Sequence, residues 1–123
     1  MTDVALKQEI DANPLTTALV EKTKAGRIGW QATANENTFI ASVGGDTTLR
    51  LTLESVVDFD PYGQPESYDV PVLCLLDSKG KTLWEVHSRE VKGGLWPLYK
   101  LAQRIANKVD EKVEALMEAL QKL

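Results

Sequence analysis

The residues of this chain that could do catalytic chemistry are few and scattered. His87 is the single histidine and Cys74 the single cysteine among 123 residues. A general base or a nucleophile needs a partner that orients or activates it, and no second histidine and no nearby nucleophile accompanies His87. Cys74 lies in the apolar run 72–76, where a cysteine behaves as a small buried hydrophobe. The sequence therefore predicts no catalytic residues and no enzymatic activity, with His87 on a surface or edge strand.

The segment 58–69, with the sequence DFDPYGQPESYD, holds the densest set of potential ligand groups. Asp58, Asp60, Gly63 and Asp69 occupy positions 1, 3, 6 and 12 of a twelve-residue window, as in an EF-hand calcium loop. Position 5 is a tyrosine, the last position is not glutamate, and the flanking residues read as strands rather than helices. Transition-metal sites need several His, Cys or carboxylate ligands. The sequence therefore predicts no metal and no cofactor.

The same segment is the best candidate for contact with a partner. It is predicted to be the longest loop of the chain, and loops carry function more often than the elements they connect. Aromatic side chains beside acids are a common composition of contact surfaces. The alternative is a solvated loop without function. The candidate contact residues are Asp58, Asp60, Tyr62, Glu66, Tyr68 and Asp69.

Charge and hydropathy narrow the classes of partner. The formal net charge is −4 and the pI is about 5.0, which argues against nonspecific binding to nucleic acid. Lys100, Arg104 and Lys108 lie at helical spacing and could touch phosphate, but three cations on one helix face usually form a solvated side. The N-terminal sequence does not resemble a signal peptide, and no apolar stretch reaches the roughly 18 residues of a membrane span. The sequence predicts a cytoplasmic protein that binds neither membranes nor nucleic acid.

Five strands must position these residues. Alternation of apolar and polar residues, together with turn signals, predicts strands at residues 27–33, 38–43, 48–54, 70–76 and 82–87. The third of these strands ends at Glu54 or continues to Val57. The hairpin from Val70 to His87 is predicted to be the structural centre, because the unbroken apolar run 72–76 suits a strand buried on both faces. Its turn is formed by Asp77-Ser78-Lys79-Gly80. Strands that follow one another through short turns form an antiparallel meander.

Two helices are predicted to cover this meander. The first spans residues 14–24 with Asn13 as its N-cap, and residues 1–12 before it form a short extra helix or a loose arm. The second is a long helix over residues 96–121, whose apolar stripe is wide enough to lie on the sheet. The prediction is a single α+β domain over residues 1–123. It has two layers, a five-stranded antiparallel sheet with both helices on one face, in the order α-β-β-β-β-β-α.

Two runs of residues resemble elements of small bacterial and mobile-element proteins whose function has not been characterised. Residues 21–30, EKTKAGRIGW, resemble the lysine-rich end of a helix followed by a strand that bears a tryptophan. Residues 75–85, LLDSKGKTLWE, resemble a D-S-x-G-K-x-L/I-W-E hairpin, and residues 95–120 resemble the last helix of those proteins. The resemblance covers most of the chain in layout and about twenty residues in motif. It implies an α+β fold and implies no activity.

The leading functional hypothesis from the sequence is a non-enzymatic protein–protein interaction module. It follows from the lack of catalytic residue sets, the acidic charge and the aromatic and acidic segment 58–69. An adaptor, an antitoxin-like or an immunity-like role fits equally, and a homodimer is compatible with each. The alternative is a small-ligand-binding protein or an unrecognised enzyme with a cleft between the sheet and the helices.

Overall fold

In the computed structural model, which describes residues 10–123, one helix precedes five strands and two helices follow them. The helices are α1 (Ala12–Lys24), α2 (Trp96–Ala106) and α3 (Val109–Gln121), and a short 3-10 turn spans Ser88–Glu90. The strands are β1 (Gln31–Ala32), β2 (Phe39–Ser42), β3 (Thr48–Phe59), β4 (Pro65–Leu76) and β5 (Thr82–His87). The prediction for residues 1–12 falls almost entirely outside the described part of the chain.

The strands pair antiparallel in chain order, from β1 to β5. This arrangement confirms the predicted α+β class and the five-stranded meander. The second half of β4 pairs with β3 on one side and with β5 on the other, and Val72, Leu73 and Cys74 are each at most 2% exposed. The prediction that residues 72–76 form an interior strand is therefore confirmed.

The main hydrophobic core lies between one face of the sheet and the helices α1 and α2. Alternate residues of neighbouring strands point to this face, and they meet apolar residues of both helices. Its most deeply buried members are Phe39, Leu51, Leu73, Val86, Leu95, Leu98 and Ala102. Each fully buried large apolar side chain contributes about 1.5–3 kcal/mol. A smaller cluster of Val72, Cys74 and Leu76 lies on the opposite face of β4.

Helix α1 begins at Ala12, two residues earlier than predicted, because Asp11 and not Asn13 is its N-cap. The Asp11 carboxylate accepts the backbone N–H of Asn13 at 3.0 Å, and this hydrogen bond lowers the pKa of Asp11 below its ordinary value. The side chain of Asn13 has another role, since its Oδ1 accepts the backbone N–H of Lys92 at 2.8 Å. The residue predicted to cap the helix therefore joins α1 to the loop before α2.

The predicted single C-terminal helix is wrong in one respect, because it is broken after Ala106. Lys108 has a φ of 53°, in the left-handed region, and this residue separates α2 from α3. Only the α2 part of the predicted apolar stripe reaches the core. Every residue of α3 is exposed, so its apolar residues do not lie on the sheet as predicted. None of the helices within residues 10–123 has the length and apolar character needed to cross a membrane.

Candidate partner-binding site

Residues 54–70 form a two-stranded ribbon that continues past the rest of the sheet. The pairing of β3 with β4 extends to Phe59 and Pro65, whereas β2 pairs with β3 only as far as Leu51. On the other side, β5 pairs with β4 only from Val72 onwards. The prediction that residues 58–69 form a loop is therefore wrong, because most of this segment is β-strand and only residues 60–64 form the turn.

The turn at the tip of the ribbon explains why these polar residues pair. The backbone N–H of Gly63 donates to the carbonyl oxygen of Asp60 at 2.9 Å, and Gly63 has a φ of 79°. The Asp60 carboxylate accepts the backbone N–H groups of Tyr62 at 2.9 Å and Gln64 at 2.8 Å. Pro61 restrains its own φ to a value that suits the turn. Asp60, predicted to contact a partner, thus has one carboxylate oxygen engaged in shaping the ribbon.

Because side chains alternate along a strand, the ribbon has two faces. The helix-side face continues the face that α1 and α2 cover, and it carries Ser55, Val57, Phe59, Pro65, Ser67 and Asp69. The outer face is opposite to it and carries Glu54, Val56, Asp58, Glu66, Tyr68 and Val70. Of the predicted contact residues, the structure brings Asp58, Glu66 and Tyr68 together on the outer face. It places Asp69 on the helix-side face and Tyr62 in the turn.

Two acids lie directly opposite each other near the tip of the outer face. Asp58 and Glu66 are cross-strand neighbours, and like charges in such positions destabilise a strand pair. Within the described residues, neither carboxylate forms an ion pair with a basic side chain. One Asp58 oxygen accepts the backbone N–H of Phe59 at 2.8 Å. The tip of the outer face is therefore a concentration of negative charge that a cation from another molecule would neutralise.

A cavity of about 270 Å³ lies at the base of the outer face. Its apolar wall is formed by Val56, Tyr68 and Val70 of the ribbon, and its polar wall by Glu54, His87, Ser88 and Arg89. His87 Nδ1 is 3.8 Å from the Oε2 atom of Glu54, a contact that becomes an ion pair when the histidine is protonated. The prediction that His87 lies on an edge strand is confirmed, since it is the last residue of β5.

The proximity of His87 and Glu54 was not predicted from the sequence. Val72 pairs with His87 and Glu54 pairs with Val70, so two strand registers are needed to bring the residues together. The turn of β4 and β5 was identified from the sequence, but the continuation of β4 towards Pro65 was not. A correct end for β4 would have supplied the missing register.

The large apolar side chains of the ribbon are exposed. Val57, Phe59 and Tyr62 are 61%, 67% and 88% exposed, whereas Leu49 and Leu51 earlier in the same hairpin are 3% and 0% exposed. Tyr68 is half-exposed at 47%. Exposed apolar groups that are bordered by polar residues mark interaction surfaces in monomeric proteins. The ribbon therefore combines apolar area, a cavity and negative charge in one projecting element.

The negative charge of Asp69 affects Tyr99 in the body of the protein and not a group on the outer face of the ribbon. Tyr99 of α2 is buried, and its hydroxyl donates to the carbonyl oxygen of Asn37 at 3.1 Å. Its ring packs against Phe39 with the ring centroids 5.5 Å apart. Burial, and then the negative charge of Asp69, raise the pKa of the Tyr99 hydroxyl above its ordinary value. The predicted contact residues thus divide into groups with different surroundings.

Two further concavities border the helices. One, of about 330 Å³, lies between α1 and residues 91–97, and the other, of about 460 Å³, lies where α2 meets the loop before β2. Neither is lined by a histidine or a cysteine. Over residues 10–123, no three side chains of the His, Cys, Asp and Glu types are grouped so that they could hold a metal ion. The outer face of the ribbon differs from these two concavities, because its cavity is lined by His87 and lies beside two facing acids.

Comparison of the chain with protein-family models, with curated proteins and with solved structures gave no match. The resemblance of residues 21–30 and 75–85 to small uncharacterised bacterial proteins stays a prediction.

Proposed function

We propose that the protein is a protein–protein interaction module that binds its partner through the outer face of the ribbon. The observation that carries this proposal is the convergence, on the outer face of the projecting hairpin, of a cavity lined by apolar side chains of the ribbon and two facing acids. The apolar side chains are Val56, the half-exposed Tyr68 and Val70, and the acids are Asp58 and Glu66. A two-stranded hairpin alone is at best marginally stable in water. A partner that covers these side chains would stabilise the ribbon and would bury apolar area at the same time.

The charge and shape of the outer face define the chemistry of the partner. A basic side chain fits beside Asp58 and Glu66, because it would neutralise two facing carboxylates. Arginine suits this position better than lysine, since its planar guanidinium can donate to both carboxylates at once. An apolar side chain fits the cavity between Val56 and Tyr68. The partner surface is therefore basic and apolar, and the net charge of −4 favours its approach.

The experiment compares capture of partners by the wild type and by matched double variants. In the test variant, Asp58→Asn and Glu66→Gln remove the two facing charges. In the control, Glu21→Gln and Glu36→Gln remove the same number of acidic charges from exposed positions elsewhere. We expect a partner from the native lysate that cross-links to the ribbon to bind the control like the wild type and to bind the test variant at least tenfold more weakly.

Two results would overturn the proposal. One is a partner that binds the test variant and the control equally well, and the other is a failure of the wild type to bind any protein. A photo-cross-linking residue in place of Tyr68 identifies the bound surface directly. A partner that cross-links elsewhere would contradict the assignment to the outer face.

A further inference from the structure

The strand β3 has an open edge where the ribbon leaves the sheet. β2 pairs with β3 only as far as Leu51, and just beyond this pair the hydroxyl oxygens of Thr38 and Thr52 are 2.8 Å apart. From there β3 continues to Phe59 and is paired with β4 alone. The backbone N–H of Phe59 donates to the carboxylate of the preceding residue at 2.8 Å, which closes the far end. The open edge of β3 therefore spans residues 53–58.

Three residues of this edge have backbone groups without a partner in the sheet. Alternate residues of a paired strand direct their N–H and C=O groups to opposite sides. The N–H of Asp60 donates to the carbonyl oxygen of Gln64 at 2.9 Å, so the even-numbered residues of β3 bond to β4. The odd-numbered Leu53, Ser55 and Val57 therefore direct their N–H and C=O groups to the open edge. None of these groups has a backbone partner in the part of the chain that the structure describes.

The opposite edge of the ribbon, which belongs to β4, is not equivalent. Pro65 and Pro71 lie at positions of β4 whose N–H groups would point to that edge, and proline has no N–H. The strand β3 contains no proline. Extended segments add to a sheet edge through main-chain hydrogen bonds, so an uninterrupted row of donors and acceptors is needed. The edge of β3 is therefore the side of the ribbon on which another strand can pair.

We propose that the partner binds as an extended segment that adds a strand to the open edge of β3. The proposal rests on the protein-binding function proposed above and adds to it the conformation of the bound partner. The added strand would lie in line with β2. In antiparallel pairing, each residue opposite Ser55 or Val57 would exchange an N–H and a C=O hydrogen bond with it. Its side chains would also cover Val57, which is 61% exposed.

The side chains of β3 define the sequence pattern of the added strand. Glu54, Val56 and Asp58 alternate along the outer face, and residues directly opposite them on an added strand would share this face. A basic residue suits the positions opposite Glu54 and Asp58, and an apolar residue suits the position opposite Val56. The segment therefore carries basic, apolar and basic residues at alternate positions. This pattern is the same in both chain directions, so it holds for parallel and for antiparallel pairing.

The strands of this protein do not carry that pattern themselves. The five strands from β1 to β5 contain a single lysine or arginine, Arg50. A strand of a second copy would therefore bring no pair of basic residues to the positions opposite the two acids. The segment that fits the open edge belongs to another protein.

The first test compares prolines on the two edges of the ribbon. Val57 and Ser67 are cross-strand neighbours, and both direct their N–H groups away from the β3–β4 ladder. Val57→Pro removes a donor from the open edge of β3, Ser67→Pro removes one from the edge of β4, and neither breaks a hydrogen bond between the two strands. Val57→Pro is expected to weaken binding of the partner captured from the native lysate at least tenfold. Ser67→Pro is expected to bind like the wild type, and Val57→Ala, which keeps the N–H, to bind more tightly than Val57→Pro.

The second test uses the wild-type protein and the synthetic peptide Thr-Arg-Thr-Val-Thr-Arg-Thr, blocked at both ends. At saturation the peptide is expected to slow amide hydrogen exchange of Ser55 and Val57 at least tenfold, as measured by NMR, and to leave Ser67 and Asp69 unchanged. One control peptide has glutamate in place of both arginines. The other is N-methylated at the two threonines that flank the valine, which removes donors and keeps every side chain. Both controls are expected to leave the amides unprotected.

Three results would overturn strand addition to β3. One is equal binding of the partner by Val57→Pro and Ser67→Pro, and another is a peptide that leaves Ser55 and Val57 unprotected. The third is protection of these amides without peptide that increases with protein concentration, because a second copy would then occupy the edge. The peptide test uses the unchanged protein, so it decides the matter even where a proline variant fails to fold.

The outcomes also separate this proposal from the function on which it rests. A partner that is lost by the variant Asp58→Asn with Glu66→Gln and kept by Val57→Pro would leave the protein-binding function intact and would contradict strand addition. Protection of Ser55 and Val57 by the peptide, together with no partner in the native lysate, would support strand addition and contradict the function.

Discussion

The hairpins β3–β4 and β4–β5 close with the same turn and differ in their surroundings. In both, an aspartate accepts the backbone N–H groups two and four residues later, at distances of 2.8–2.9 Å from Asp60 and 2.9 Å from Asp77. In both, a glycine with a φ near 80° follows three residues after the aspartate, Gly63 in one and Gly80 in the other. The paired strands of the β4–β5 hairpin contribute Leu73 and Val86 to the core, whereas the tip of β3–β4 extends beyond the neighbouring strands.

The strand β4 shows that strand pairing and burial are independent properties, because one strand is exposed in one half and buried in the other. Residues 72–74 of β4 are at most 2% exposed, while residues 65–69 of the same strand are all exposed. The turn decides that the strands pair, because it fixes their register. Neighbouring strands and helices decide whether the paired residues contribute to the core. We therefore expect the first half of β4 to be available for binding and the second half to determine stability.

The largest expected effect is a difference in stability between variants in the two halves of the β3–β4 hairpin. In each variant an apolar side chain is truncated to alanine. Leu73→Ala is expected to lower the free energy of unfolding by about 2–5 kcal/mol, because it leaves a cavity in the core. Phe59→Ala removes a larger side chain and is expected to change that free energy by less than about 0.5 kcal/mol, since Phe59 is 67% exposed. Urea unfolding of both variants measures the difference. A comparable loss for Phe59→Ala would show that the ribbon packs against the body.

The second prediction compares the two turn glycines. An alanine at either position is forced into the left-handed region, at a cost of about 1–2 kcal/mol. Gly80→Ala is expected to lower the free energy of global unfolding by this amount, because the β4–β5 hairpin belongs to the core sheet. Gly63→Ala is expected to speed amide hydrogen exchange in residues 54–70 without a matching global loss. Equal global losses in both variants would mean that the ribbon and the sheet unfold together.

The third prediction concerns the facing acids of the ribbon. Asp58→Asn combined with Glu66→Gln is expected to raise stability by about 0.2–1 kcal/mol, because it removes a repulsion between cross-strand neighbours. The gain would be visible as slower amide exchange in the ribbon. If stability rises while partner binding falls, the acids serve binding at a cost to the fold. A decrease in ribbon stability would contradict the repulsion inferred from the strand register.

The smallest expected effect is a pH dependence at the base of the ribbon. The pKa of Tyr99 is raised in the folded protein, so the unfolded chain loses this proton first as the pH rises. The stability contributed by the neutral phenol is complete below pH 10, the ordinary pKa, and is lost as the pH rises through the raised value. Asp69→Asn is expected to bring the Tyr99 transition to lower pH. Ultraviolet absorbance titration in a background of Tyr62→Phe and Tyr68→Phe measures this shift, and an unchanged transition would remove Asp69 as a cause.

The meander could be predicted because each body strand has its own pattern. Residues 48–54 alternate between apolar and polar, and residues 72–76 are apolar without interruption. The ribbon could not be recognised in this way, since neither of its faces is buried and no apolar alternation is needed there. The only part of the ribbon that the sequence does indicate is its turn. Asp60-Pro61-Tyr62-Gly63 has the same aspartate-to-glycine spacing as Asp77-Ser78-Lys79-Gly80.

The break in the C-terminal helix could not be predicted for a different reason. No glycine or proline stands near Lys108, and the apolar spacing continues across it from α2 to α3. A left-handed lysine is uncommon and carries no signal of its own in the sequence. The outer-face acids Asp58 and Glu66 were identified by composition, whereas the cavity that His87 lines depends on two strand registers.

Two prolines of β4 have a consequence for the behaviour of the protein at high concentration. Pro65 pairs with Phe59 at the tip of the ribbon, and Pro71 pairs with Leu53 directly below its base. A proline within a strand pair directs its nitrogen away from the ladder, so the unpaired edge of β4 lacks a hydrogen-bond donor at each of these two positions. Another strand would find an interrupted template there, which opposes edge-to-edge aggregation. The ribbon can therefore expose apolar side chains to a specific partner while β4 resists indiscriminate stacking of one molecule on the next.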